Sequence, residues 1–150
     1  MNLIMKIIQV TLLSLLALVF LNSGASNAAD APKTAAAVHP LTGTWSWTAF
    51  GGKCVETFQY RSINTMLSTS GEAVSEWNYT VTPNANDKGF YEVVETSMRN
   101  NGKKDCSGDT VSDTGLVNIR FVQFSPARDL LLMCKEPSLA ACFGPLKRQP

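Results

Sequence analysis

From Leu41 to Arg148 the chain alternates apolar and polar residues with a period of two, and turn residues interrupt the alternation at short intervals. This pattern predicts β-strands joined by turns, and no segment has a convincing helical period. The pattern predicts about eight strands, at residues 43–50, 54–60, 65–69, 73–82, 89–98, 116–124, 130–134 and 143–148. Short connections favour an antiparallel meander, and closing the meander removes its exposed edges. We therefore expect an all-β fold, a small antiparallel up-and-down barrel, with a β-sandwich as the alternative.

Two of the strands carry a less regular pattern. Segment 89–98 begins with Tyr91 and Val93 on one face and continues with apolar residues on the other, which predicts a bulge near Val93–Val94 or burial on both sides. Segment 116–124 alternates through Val117, Ile119 and Phe121. Large aromatic side chains are expected to fill the interior rather than to line a pocket: Trp47, Phe58, Tyr60, Trp77, Tyr79, Phe90 and Phe121.

The N-terminal segment has the three parts of a signal peptide. Lys6 precedes an apolar run over Ile7–Leu21, and small residues follow over Ser23–Ala29. The run is shorter than the about 20 residues that a membrane-spanning helix needs. We expect cleavage near Ala29, a periplasmic or secreted protein, and no stable membrane anchor.

The remaining chain suits one domain. Residues 30–40, rich in alanine, are expected to form a flexible lead-in to a single barrel domain at residues 41–150. Without Lys6 the acidic and basic residues are equal in number. A nucleic-acid-binding protein needs a clustered basic surface, so this balance argues against that class.

Four cysteines in an exported chain predict two disulfides. In a meander all four lie beside connections at the same end of the barrel, which brings them within bonding reach: Cys54, Cys106, Cys134 and Cys142. We favour Cys134–Cys142 with Cys54–Cys106, and the rival pairing is Cys54–Cys142 with Cys106–Cys134. Their scattered spacing does not suit a zinc site, so we expect neither metal nor cofactor.

The sequence offers no convincing catalytic group. The sole histidine, His39, falls in the predicted lead-in, which removes most serine–histidine and cysteine–histidine arrangements. Glu92 with Glu95, or Glu72 with Glu76, are the candidate carboxylate pairs for glycoside hydrolysis. We expect these acids to be solvated on the outer face, and we do not expect the protein to be an enzyme.

The stretch Leu41–Trp45 resembles the Gly-x-Trp opening of the calycin barrels, the group of the lipocalins and avidins. The resemblance implies that Trp45 lies across the closed end of the barrel and packs against a basic residue of the last strand. Lys147 and Arg148 are placed for such a contact, and Arg148 is the expected partner.

Most of the predicted domain also resembles a family of small exported proteobacterial proteins with no assigned activity. The resemblance rests on six stretches: Leu41–Trp45, Cys54–Phe58, Thr69–Glu72, Gly89–Tyr91, Asn101–Gly108 and Ala141–Arg148. It implies an exported barrel and supplies no substrate.

Three functions remain open after these exclusions. The first is a non-enzymatic binding or structural protein of the periplasm. The second is a lipocalin-like carrier of a small apolar ligand, with the mouth of its pocket at the end that holds the cysteines. The third is an inhibitor of a cell-wall hydrolase such as lysozyme, because small exported barrels of that kind present a Ser-Gly loop, although Tyr79 is too distant from Ser70-Gly71 to complete their motif.

Overall fold

The structure is a computed structural model that describes residues 37–110 and 114–150. The predicted signal peptide, most of the lead-in and residues 111–113 of the predicted polar loop lie outside these ranges. Eight strands follow one another along the chain: β1 (Gly43–Ala49), β2 (Cys54–Tyr60), β3 (Thr65–Ser70), β4 (Ala73–Val81), β5 (Tyr91–Asn100), β6 (Val117–Phe124), β7 (Leu130–Cys134) and β8 (Cys142–Arg148). A 3₁₀ turn at Phe50–Gly52 joins β1 to β2.

The eight strands form a closed antiparallel barrel. Each strand pairs with the next along the chain, and β1 pairs with β8 through Trp45 opposite Arg148 and Ser46 opposite Lys147. The predicted up-and-down barrel is therefore confirmed, and the sandwich is not the fold. We call the end at which β1 begins the lower end and the opposite one the upper end.

The lower half of the barrel is filled by a packed core. Its buried residues come from all eight strands and from the segment before β1: Leu41, Trp45, Tyr60, Met66, Trp77, Tyr79, Val93, Val122, Leu131, Met133 and Leu146. Burying each large side chain of this kind contributes about 1.5–3 kcal/mol. Trp47 and Phe58 are only partly buried and pack on this core from above. The expectation that large aromatics fill the interior therefore holds for the lower half alone.

Strand β5 keeps one alternation from Tyr91 to Ser97. Its inward residues are Tyr91, Val93, Glu95 and Ser97. The predicted bulge near Val93–Val94 is wrong, because the register shift lies further up, where Glu76 and Trp77 of β4 pair with Arg99 and Ser97. The apolar residues that follow Val94 on the other face point outward, and Met98 is 51% exposed.

Strand β6 is oriented with its apolar upper residues outside. Val117 and Ile119 are both more than half exposed, while Asn118 and Arg120 lie on the inward face with the buried Val122. Phe121 shares the outward face and so does not fill the interior as expected. The inward positions of β5 and β6 are polar toward the upper end, where Glu95 and Ser97 are buried and Asn118 and Arg120 are partly exposed.

The segment just before β1 packs against the barrel. His39 Nδ1 accepts a hydrogen bond from the Leu41 amide, and its ring meets Tyr91 edge-on at 4.9 Å between centroids. Burial lowers the pKa of His39 from its ordinary value. The histidine predicted to lie in the lead-in is therefore part of the folded domain.

Candidate functional site

Trp45 and Arg148 close the lower end of the barrel together. The Arg148 guanidinium carbon lies 4.2 Å from the centroid of the Trp45 ring, within cation–π distance. The guanidinium also donates to the backbone carbonyls of Pro40, Thr42 and Arg128. Trp45 is fully buried, and its indole N–H donates to Leu41 O at 2.8 Å. Trp45 and Arg148 therefore block the axis of the barrel at this end.

Gly43 of the Gly-x-Trp stretch is needed for this closure. Its φ is +129°, a conformation that residues with a side chain rarely adopt. A Cβ at this position would lie 2.6 Å from Arg148 Nη1. Glycine therefore lets the guanidinium reach over Trp45.

The four cysteines meet at the upper end in the favoured pairing. Cys54 is bonded to Cys106 and Cys134 to Cys142, with Cα–Cα distances of 5.8 and 3.9 Å. The structure has no free cysteine among the residues it describes. The first bridge fastens the loop after β5 to the start of β2, so it fixes one side of the upper rim.

The turn between β3 and β4 lies beneath that loop. Ser70 Oγ accepts from the Cys106 amide at 3.0 Å and donates to Glu56, so its hydroxyl is already engaged. A Cβ on Gly71, whose φ is +58°, would approach the Lys104 and Asp105 backbone to 3.1–3.2 Å. Ser70 is thus half-buried and hydrogen-bonded on both sides, while Gly71 is exposed at the turn.

A cavity of about 290 Å³ opens at the upper end, above the packed core. We call it the cup. Four aromatic rings line it together with small and charged residues: Trp47, Phe58, Trp77, Phe143, Glu56, Ser68, Thr69, Ser70, Ala73, Ser75, Asp105 and Arg120. Phe143 lies 5.3 Å from Trp47 and 6.3 Å from Phe58 between ring centroids, so these three rings form one continuous wall.

Glu56 is held in the wall of the cup by two neutral donors. Trp47 Nε1 donates to Oε2 at 2.6 Å, and Ser70 Oγ donates to Oε1 at 2.5 Å. These partners are its cross-strand neighbours, because Trp47 of β1 and Ser70 of β3 stand opposite Glu56 of β2. No cationic group among the described residues lies within 4.0 Å of this carboxylate. Glu56 therefore has fixed geometry and a charge without a counter-ion.

Glu95 lies inside the barrel, below the cup. The expectation that it is a solvated acid on the outer face is wrong, since the residue is only 2% exposed. Tyr60 donates to its Oε1 at 2.5 Å, and Arg120 Nε donates to its Oε2 at 2.9 Å. A buried charge needs such partners. Burial, reinforced by the Glu95 charge, raises the pKa of Tyr60 well above its usual value, so the phenol stays a donor.

Arg120 connects the buried carboxylate with the cup. Its side chain is 30% exposed, and its guanidinium carbon lies 5.6 Å from the centroid of Phe143. A second cavity, of about 630 Å³, adjoins the cup along Arg120 and Phe143. It opens between β6 and the β7–β8 hairpin, because β7 pairs with β6 only from Phe121 downward. The upper half of the barrel is thus accessible from above and from one side.

The candidate carboxylate pairs do not form catalytic pairs. Glu92 is exposed on the outer face and Glu95 is buried on the inner one, so they point apart. Glu72 is exposed in a turn, and Glu76 forms an ion pair at 2.8 Å with Arg99 on the outside. Within the described ranges no three metal-ligating side chains converge.

The sequence did carry a signal for the residues that were missed. Tyr91 and Val93 set a period of two that, continued without interruption, places Glu95 and Ser97 inside. Giving hydrophobicity precedence over that period places the apolar residues after Val93 in the interior, and that placement is wrong. By the same period Glu56 shares the face of Cys54 and Phe58, and it was missed because a single acid on a strand has no signature of its own.

No family model matches the chain, and neither a curated protein nor a solved structure is significantly similar to it. In the parts of the chain that the structure describes, no helix is long and apolar enough to cross a membrane. The two disulfides are typical of proteins in oxidising compartments outside the cytoplasm.

Proposed function

We propose that this protein is an exported, non-enzymatic binding protein that holds one small ligand in the cup. The observation that carries the proposal is the division of the barrel interior. Its lower half is packed and closed by Trp45 and Arg148, while its upper half is a concave space lined by aromatic rings and a few fixed polar groups. Small-molecule sites combine those features.

The size of the cup limits the ligand. Its volume of about 290 Å³ is at the lower end of the range for small-molecule sites, about 300–1,000 Å³. Eight-stranded barrels have room for at most one small ligand beside their own side chains. A compact molecule suits the cup, whereas a longer chain would have to extend into the adjoining cavity of about 630 Å³.

The proposal also places the protein outside the cytoplasm. The two disulfides and the signal-peptide pattern of the first 29 residues support export to the periplasm or beyond. The exported protein should begin near Asp30 by intact-mass measurement. Recovery of the uncleaved chain from the membrane fraction would refute this part.

A ligand screen with a blocked variant tests the binding function. The exported protein is screened against a small-metabolite library by thermal shift, and hits are titrated while tryptophan fluorescence is recorded. Trp47 and Trp77 line the cup, and Trp45, the remaining tryptophan of the chain, lies at the closed end, so a ligand in the cup should change the emission.

Ser75→Phe is designed to fill the cup, because Ser75 lies on its wall and is 9% exposed. Val74→Phe is the matched control, since Val74 precedes it on β4 and points outward. We expect saturable binding that Ser75→Phe abolishes and Val74→Phe retains. Binding that both variants retain equally, or a library without hits, would contradict the proposal.

A further inference from the structure

The charges of the cup do not balance. Three charged side chains line it, Glu56, Asp105 and Arg120, and Glu95 lies directly below. Arg120 is compensated by Glu95 through its 2.9 Å ion pair. Glu56 and Asp105 have no cationic group within 4.0 Å among the described residues. The Asp105 carboxylate accepts hydrogen bonds from the Ser107 and Asp109 amides of its own loop. Glu56 is therefore the uncompensated carboxylate of this partly enclosed space, where low-dielectric walls strengthen its field.

The aromatic wall stands next to the Glu56 carboxylate. Trp47 donates its indole N–H to Glu56, which holds the indole beside the carboxylate. Phe143 and Phe58 continue the wall from Trp47. Faces of aromatic rings attract cations, and quaternary ammonium groups are bound in cages of such rings. Aromatic rings and an uncompensated carboxylate on the same wall therefore favour the same kind of ligand.

We propose that the cup selects a small organic cation, whose ammonium group lies beside Glu56 and against the rings of Trp47 and Phe58, since Arg120 already packs on Phe143. This inference rests on the binding function proposed above and names its ligand class. It departs from the expectation of an apolar ligand.

The other ligand charges fit the cup less well. An anion drawn to Arg120 would meet a guanidinium already neutralised by Glu95, with Glu56 and Asp105 on the same walls. A neutral apolar ligand would remove water from Glu56 without replacing it, and burying an uncompensated charge is costly. A cation supplies the missing charge and uses the rings.

The test compares ligands of one shape and different charge by isothermal titration calorimetry at fixed ionic strength. The probes are choline, its neutral isostere with a tert-butyl group in place of trimethylammonium, and the carboxylate of the same skeleton; butylammonium serves as a second cation. We expect at least one of the two cations to bind saturably, and the neutral isostere and the carboxylate to bind roughly ten-fold more weakly or not at all.

Glu56→Gln removes the negative charge of this side chain and keeps its shape. Glutamine keeps an oxygen for the Trp47 N–H, and an exposed outer acid offers the matched control Glu92→Gln. Glu56→Gln should weaken the cation about ten-fold and leave the neutral isostere unchanged, whereas Glu92→Gln should change neither.

The outcomes separate this inference from the function on which it rests. If neutral or anionic library hits bind in a manner that Ser75→Phe abolishes, while both cations fail, the cup is a binding site and the charge inference is overturned. Cation binding that Glu56→Gln leaves unchanged also overturns it. If no compound of any charge binds, the binding function itself fails.

Discussion

Replacing Arg148 tests the closure of the barrel at its lower end. The side chain does two things there: its guanidinium covers the buried Trp45 ring at 4.2 Å, and it donates to the carbonyls of Pro40, Thr42 and Arg128. Pro40 and Thr42 belong to the segment before β1, and Arg128 belongs to the β6–β7 turn. One side chain of β8 therefore joins two separate parts of the lower end.

The expected loss follows from those contacts. A hydrogen bond to a charged group contributes about 1.5–3 kcal/mol when buried, and Arg148 is partly exposed, so we expect Arg148→Ala to cost about 2–4 kcal/mol in all. Arg148→Lys retains the charge but cannot reach all the carbonyls at once, and it should cost about half as much. Trp45→Ala removes a fully buried indole and should cost about 3–5 kcal/mol.

A double-mutant cycle measures the contact between the two residues. Trp45→Leu is the partner of choice because it keeps an apolar side chain in the core while removing the ring. Urea unfolding is followed by far-UV circular dichroism, since two other tryptophans would complicate fluorescence. We expect a coupling energy of about 0.5–2 kcal/mol between Trp45→Leu and Arg148→Ala. Additive losses, within about 0.3 kcal/mol, would show that the cation–π contact does not stabilise the closure.

Two further predictions concern the disulfides and the histidine. The Cys54–Cys106 bridge closes a loop of 52 residues, and the Cys134–Cys142 bridge closes a loop of 8. Replacing the two cysteines of one bridge by alanine should therefore cost about 4 kcal/mol for the first bridge and about 2.5 kcal/mol for the second. Urea unfolding measures both, and a larger loss for the shorter loop would contradict the loop-entropy argument. Burial lowers the pKa of His39 below that of the unfolded chain, so its contribution to stability is present above about pH 6.5 and is lost as the pH falls through the lower folded-state pKa. Unfolding free energies between about pH 7 and pH 5 should therefore fall more steeply for the native chain than for His39→Gln, and parallel curves would refute this.

Local pattern and connectivity were enough to predict the architecture. Period-two alternation and turn residues between Leu41 and Arg148 indicated the strands, because both are properties of neighbouring residues. Short connections then required antiparallel neighbours, and antiparallel neighbours placed the four cysteines at one end. That placement left two pairings open, and the structure has the favoured one, Cys134–Cys142 with Cys54–Cys106.

The cup could not be derived in the same way. Which face of a strand is buried depends on what lies opposite it, and along β5 the buried positions change from apolar at Val93 to polar at Glu95 and Ser97. Glu95 is buried because Tyr60 and Arg120, which are 35 and 25 residues away in the chain, satisfy its carboxylate. Alternation and short connections therefore predicted a strand meander that closes into a barrel. The convergence of distant side chains decided that its upper half holds a charged, aromatic-walled cavity, since only tertiary partners make a buried charge tolerable.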